Sequence, residues 1–131
     1  MNNFPPYPSI LDAIRCLLPG ITVECAVHNE NLNRIDWMMD DVEQPSIDSI
    51  ETKLNELKAE YPIKLLRYYR DKLLAETDWV TMRSYSTNTP VPQEWASYQQ
   101  ALRDLPETAT PVLDSTSPLG ISGVDWPVKP Q

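Results

Sequence analysis

Apolar side chains recur at helical spacing over three stretches of this chain and alternate with polar ones over a fourth. Ile10, Ile14, Leu17 and Leu18 fall on one helical face, Ser9 stands ahead of them as an N-cap with Asp12 in the capping-box position, and Pro19 with Gly20 stops the run. Residues 21–27 then alternate, with Ile21, Val23, Cys25 and Val27 set against Thr22 and Glu24, the period of a strand with one wet face. Residues 29–33 supply a turn, and residues 34–38 resume the alternation with Ile35 and Trp37 on one face. The pattern predicts a short helix with a β-hairpin packed under it.

An acidic loop over residues 40–45 leads to Ser46, a second N-cap, and to a strong helical period at Ile47, Ile50, Leu54, Leu57 and Tyr61. Pro62 interrupts it, because a proline removes one helical hydrogen bond and crowds the carbonyl of Lys58. The period returns at Leu65, Leu66, Tyr69, Leu73 and Leu74, so the stretch reads as one kinked helix or as two helices that break within two residues of Pro62. Residues 81–92, rich in Ser, Thr and Pro, read as a long loop. Pro92 then serves as first-turn proline of a further helix with the stripe Trp95, Tyr98, Leu102 and Leu105, ended by Pro106. Residues 107–123 show no period and read as a flexible arm, while residues 124–130 are apolar enough to dock. Residues 1–8, with Pro5, Pro6 and Pro8, form an extended lead-in.

The expected class is α+β: a small helix-plus-hairpin unit over residues 1–61, with the bent helical stretch leading into a helical-hairpin module over residues 62–106, and a Pro-rich extended arm over residues 107–131. Seven of the thirteen prolines lie between Pro90 and Pro130, which excludes long continuous helices or central strands there.

Charge narrows the function. The net charge is −8, divided unevenly: eleven acids and four bases in residues 1–61 leave −7, and eight acids and seven bases in residues 62–131 leave −1. Such a surface repels phosphate backbones and anionic bilayers, so neither nucleic acid nor membrane is an expected partner. Cys16 and Cys25 appear without a signal-peptide pattern, which suits a reducing cytoplasm, and both read as small buried apolar side chains.

No catalytic set emerges. His28 lies beside the hairpin turn and reads as exposed, and with two cysteines nine apart it falls short of a four-ligand zinc site, so no metal and no cofactor are expected. Asp40 with Asp41 reads as a solvated turn rather than a glycosidase pair, and Gly20, Gly120 and Gly123 make no phosphate loop.

Aromatic and proline anchors stand out instead. The strings RDKLLAETDW (residues 70–79), PQEWASYQQALRDLP (residues 92–106) and VDWPVKP (residues 124–130) resemble, in order and spacing, the tail assembly chaperone domain of tailed bacteriophages, and share their ending with phage tail-fibre assembly proteins. The resemblance covers about half the chain. The first sixty residues look like small accessory proteins encoded near phage tail-fibre genes. Gln99 departs from the pattern, which commonly has Arg directly after the tyrosine, and the segment between Pro106 and Trp126 is longer than the family leads one to expect.

The resemblance implies a non-enzymatic chaperone in the cytoplasm of the infected bacterium, binding a tail or tail-fibre protein, expected to be a trimeric fibre. A homo-oligomer matching the fibre symmetry is left open, as is a structural subunit retained at the fibre tip or baseplate. The expected contact residues are Asp78, Trp79, Trp95, Tyr98, Leu102, Arg103, Trp126 and Pro127. For Trp79, Trp95 and Tyr98 the other reading is a small core between two helices, and for Trp126 and Pro127 it is a clamp onto the same helical module. The simplest reading of Arg103 with Asp104 is a cap on the last turn of the helix, where a cation suits the dipole.

Overall fold

Ser9 sets the start of α1 (Ile10–Leu17). Its backbone is extended, its hydroxyl accepts from the Asp12 amide, and the Asp12 carboxylate accepts from the Ser9 amide at 2.9 Å, so the capping box is closed as expected. The computed structural model describes residues 4–131. The lead-in carries no helix or strand over residues 4–9, and the part expected over residues 1–3 lies outside the described residues.

The described chain divides into two compact units, one of Pro6–Tyr61 and one of residues 4–5 with Pro62–Gln131. In the first, β1 (Cys25–Val27) pairs antiparallel with β2 (Ile35–Trp37), in the register Cys25 to Trp37, Ala26 to Asp36 and Val27 to Ile35. That register puts Cys25, Val27, Ile35 and Trp37 on one face, packed against Ile10, Ala13, Ile14, Ile50 and Leu54. The hairpin under the first helix is therefore present, with shorter strands than residues 21–27 and 34–38 suggest. Ile21 is exposed, and one bond from the Met38 amide to the Glu24 carbonyl is all that extends the ladder in that direction. Asn29 and Glu30 both adopt left-handed backbone in the turn. The Glu30 carboxylate accepts from the Ile10 amide at 3.0 Å, tying that turn to the first turn of α1.

Two expectations for this unit need correction or refinement. Cys16 is exposed on α1 rather than buried, because it lies off the face formed by Ile10, Ala13 and Ile14. Cys25 is half-buried, and its burial raises the thiol pKa, with Arg15 pulling the other way. His28 is exposed, as expected, and its Nε2 lies 2.8 Å from the Asp36 carboxylate.

α2 (Ile47–Ala75) is a single helix with Pro62 inside it, starting where the Ser46 hydroxyl accepts from the Ser49 amide. Of the two readings of this stretch, the single helix is the one observed. Proline removes only one bond of the ladder, and buried apolar residues stand on the helix both before it, at Ile50, Leu54 and Tyr61, and after it, at Leu65 and Leu66.

The second unit continues with α3 (Asp78–Thr87), α4 (Gln93–Thr108), β3 (Val112–Leu113) and β4 (Ile121–Ser122). Residues 81–92, expected as a loop, are helical as far as Thr87. Val80 explains this: it is buried in a cluster with Trp95, Tyr98 and Leu102, so packing overrides weak local propensity. α4 carries the expected stripe and runs on through Pro106 to Thr108, which leaves Arg103 outside the last turn and corrects its reading as a terminal charge. Residues 107–123 are not a featureless arm. β3 and β4 form an antiparallel pair, Ile121 is buried, and the turn between them is closed by Asp114, whose carboxylate accepts from the Thr116 amide at 2.9 Å. Gly123, at φ +80°, lies so close to the Thr110 carbonyl that a Cβ would stand 3.0 Å from its oxygen.

Candidate functional site

The junction from α2 through α3 to α4 is pinned by one buried polar contact. Thr77, between α2 and α3, is 1% exposed. Its hydroxyl donates to the Leu74 carbonyl at 2.7 Å and accepts from the Gln99 side-chain amide at 2.9 Å. Gln99 thus faces inward as a structural donor on α4, and no buried side-chain polar atom is left unpaired among the described residues.

α3 ends at Asn88, whose left-handed backbone (φ 53°, ψ 38°) closes the helix with a bond from its amide to the Ser84 carbonyl. The Ser86 and Thr87 hydroxyls donate to the Arg83 carbonyl, and the Ser84 hydroxyl donates to the Thr89 carbonyl. This Ser/Thr richness, which resembles loop composition, is what satisfies the end of the helix. The chain then turns through Pro90 and Pro92 into α4, where the Pro92 carbonyl accepts from the Trp95 and Ala96 amides.

This turn leaves a cleft of about 350 Å³ lined by Trp79, Arg83, Thr89, Pro90, Pro92 and Trp95 among others. Trp95 is 8% exposed and lies at the edge of the core, whereas Trp79 is 51% exposed. Their rings meet edge to face at 5.4 Å and 77°, and Trp95 meets Tyr98 the same way at 6.2 Å. Burial raises the Tyr98 pKa, and the Glu76 charge adds to the rise.

A second groove, of about 260 Å³, is lined by Tyr69, Lys72, Leu73, Glu76, Leu119 and Trp126. Trp126 is half-buried there, Lys129 lies 3.5 Å from Glu76, and Pro127 beside it is half-buried. The C-terminal segment therefore lies along α2 within its own unit.

The structure sorts the anticipated contact residues into two groups. Trp95, Tyr98 and Leu102 belong to the core. Asp78, Trp79 and Arg103 are exposed, and Trp126 and Pro127 are partly so. Trp79 and Trp95 share the first cleft, and Trp126 lines the other groove. Arg83 and Tyr69 are the additions: Arg83, four residues beyond Trp79, shares its helical face, a relation visible only once residues 78–87 are known to be helical. Among the described residues no cluster of three His, Cys, Asp or Glu could hold a metal, and no helix is long and apolar enough to cross a membrane.

These features define a small α+β module with exposed aromatic anchors. The sequence profile of the phage tail assembly chaperone protein family matches residues 63–131, so the chain belongs to that family. Its place of action is accordingly the phage-infected host, and its partner a phage tail protein. No curated protein and no solved structure matches the chain.

Proposed function

We propose that this chain binds a tail-fibre or other tail protein stoichiometrically in the host cytoplasm and assists its folding, trimerisation or attachment, with no catalytic step. The family match over residues 63–131 carries this reading. Support comes from α3, where Trp79, Met82 and Tyr85 are 51%, 70% and 90% exposed on a helix of ten residues. Fibrous trimers expose strand edges and apolar faces before they zip together, and a partner that covers them lowers misassembly.

In this reading Asp78, Trp79, Arg103, Trp126 and Pro127 meet the partner, and Trp95, packed in the core with Tyr98 and Leu102, supports Trp79 from beneath. The test is co-expression of the neighbouring fibre gene with and without this chain. Soluble fibre trimer that forms only in its presence supports the proposal, and equal yield of trimer in both overturns it. Mass analysis of purified virions separates a released chaperone from a retained subunit, which would be present at fixed copy number.

A further inference from the structure

Arg83 gives the α3–α4 cleft a chemistry that its other walls lack. It is the single charged side chain lining a space otherwise bounded by two tryptophans, two prolines, a valine and two hydroxyl residues. Those hydroxyls are already engaged, Ser84 with the Thr89 carbonyl and Thr89 with the Thr87 hydroxyl. Among the described residues Arg83 makes no ion pair. On a chain of net charge −8, the cleft thus combines flat, rigid, apolar surfaces with one unmatched guanidinium.

Size and shape restrict what can enter. A volume of about 350 Å³ is at the small end for ligand sites, which run from about 300 to 1,000 Å³, and accepts a few residues of extended chain rather than the face of a helix. Aromatic rings flanked by prolines are the surface on which extended proline-containing peptides dock, since such peptides lose little conformational freedom on binding. A carboxylate on the same peptide can take a two-point contact from the guanidinium, and a basic one is repelled.

We infer that this cleft captures an extended, proline-containing segment of the tail protein, with a carboxylate of that segment on Arg83 and its apolar residue against Trp79. The inference rests on the reading of the chain as a tail-protein chaperone and names the chemistry of the segment it holds.

The experiment uses the full chain and short overlapping peptides spanning the tail and fibre proteins of the same phage, with binding read by fluorescence polarisation. Acidic, proline-containing peptides should bind. Arg83→Gln should weaken them about tenfold, the scale of losing a charge-assisted contact, and Arg83→Glu more. Replacing the peptide carboxylate residue by lysine should restore binding to Arg83→Glu, while circular dichroism melting of both variants stays at the parent value. Best binders without a carboxylate, or indifference to Arg83→Glu, overturn the inference. Failure of every peptide while the intact tail protein is still captured overturns it too and leaves the chaperone reading standing; failure to capture the intact protein removes both.

Discussion

Trp79 and Trp95 touch each other, yet their removal should have unequal consequences. Trp95, 8% exposed, packs with Val80, Tyr98 and Leu102, and Trp95→Ala deletes a whole indole from that cluster. The usual cost of such a deletion is about 3–5 kcal/mol, from lost transfer free energy and the cavity left behind. Trp79 is half exposed, so Trp79→Ala forfeits about half of a burial worth roughly 1.5–3 kcal/mol. One edge-to-face contact, worth about 0.5–1.5 kcal/mol, goes with it, for an expected total of about 1–3 kcal/mol. Urea unfolding followed by far-UV circular dichroism avoids the change in fluorescence that each substitution makes. Amide exchange at Leu102 and Leu105 reports the unit that holds α4. Trp79→Ala should lose tail-protein capture with most of its stability intact, and Trp95→Ala should lose stability first. Equal stability costs, or a cost below 1 kcal/mol for Trp95→Ala, would refute the division between core and surface.

The Thr77–Gln99 contact should behave as a coupled pair: Thr77→Val leaves the Gln99 amide buried without its acceptor and should cost about 1–3 kcal/mol, and adding Gln99→Leu should recover part of it in a double-mutant cycle. Pro62→Ala should raise the unfolding free energy by up to about 3 kcal/mol, because an amide at position 62 can complete the helical ladder to Lys58; a fall in melting temperature would mean that the proline ring contributes more through packing than its missing bond costs. The β3–β4 turn should weaken in acid. Hydrogen bonds from Thr116, with smaller help from Ser122 and Ser117, hold the Asp114 pKa below its ordinary 3.8. A depressed folded-state pKa means stability that is present above 3.8 and lost as pH falls through the lower folded value. Amide exchange at Thr116 should therefore accelerate in that window, and Asp114→Asn should remove the pH dependence.

Much of the first unit was legible in the chain because its signals are local. Ser9 with Asp12 closes within four residues, and the alternation of Cys25, Val27, Ile35 and Trp37 maps directly onto one face of a hairpin. The stripe of α4 was legible for the same reason. α3 was not, since Thr81, Ser84, Ser86 and Thr87 favour turns in isolation and the deciding contact is Val80 against residues fifteen and more positions away. The β3–β4 pair escaped because two-residue strands carry no measurable period; Asp114 with Thr116, and the positive-φ glycines Gly120 and Gly123, were its only marks. At the candidate site the sequence indicated which aromatics were present, but not that Trp95 lies inside and Trp79 outside. That division depends on contacts distant in sequence, such as those of Trp95 with Val80 and of Gln99 with Thr77.

The unequal burial of the two thiols offers a practical handle. Cys16 is open to solvent, while desolvation keeps the Cys25 thiol protonated to higher pH and hence less nucleophilic near neutrality. A maleimide dye added at limiting ratio will therefore alkylate α1 first, giving a singly labelled chain without mutagenesis. The dye is then attached to Pro6–Tyr61, and the tryptophans of the α3–α4 cleft remain untouched in the other unit. Energy transfer from such a label to one on a captured tail protein can follow capture and release in real time.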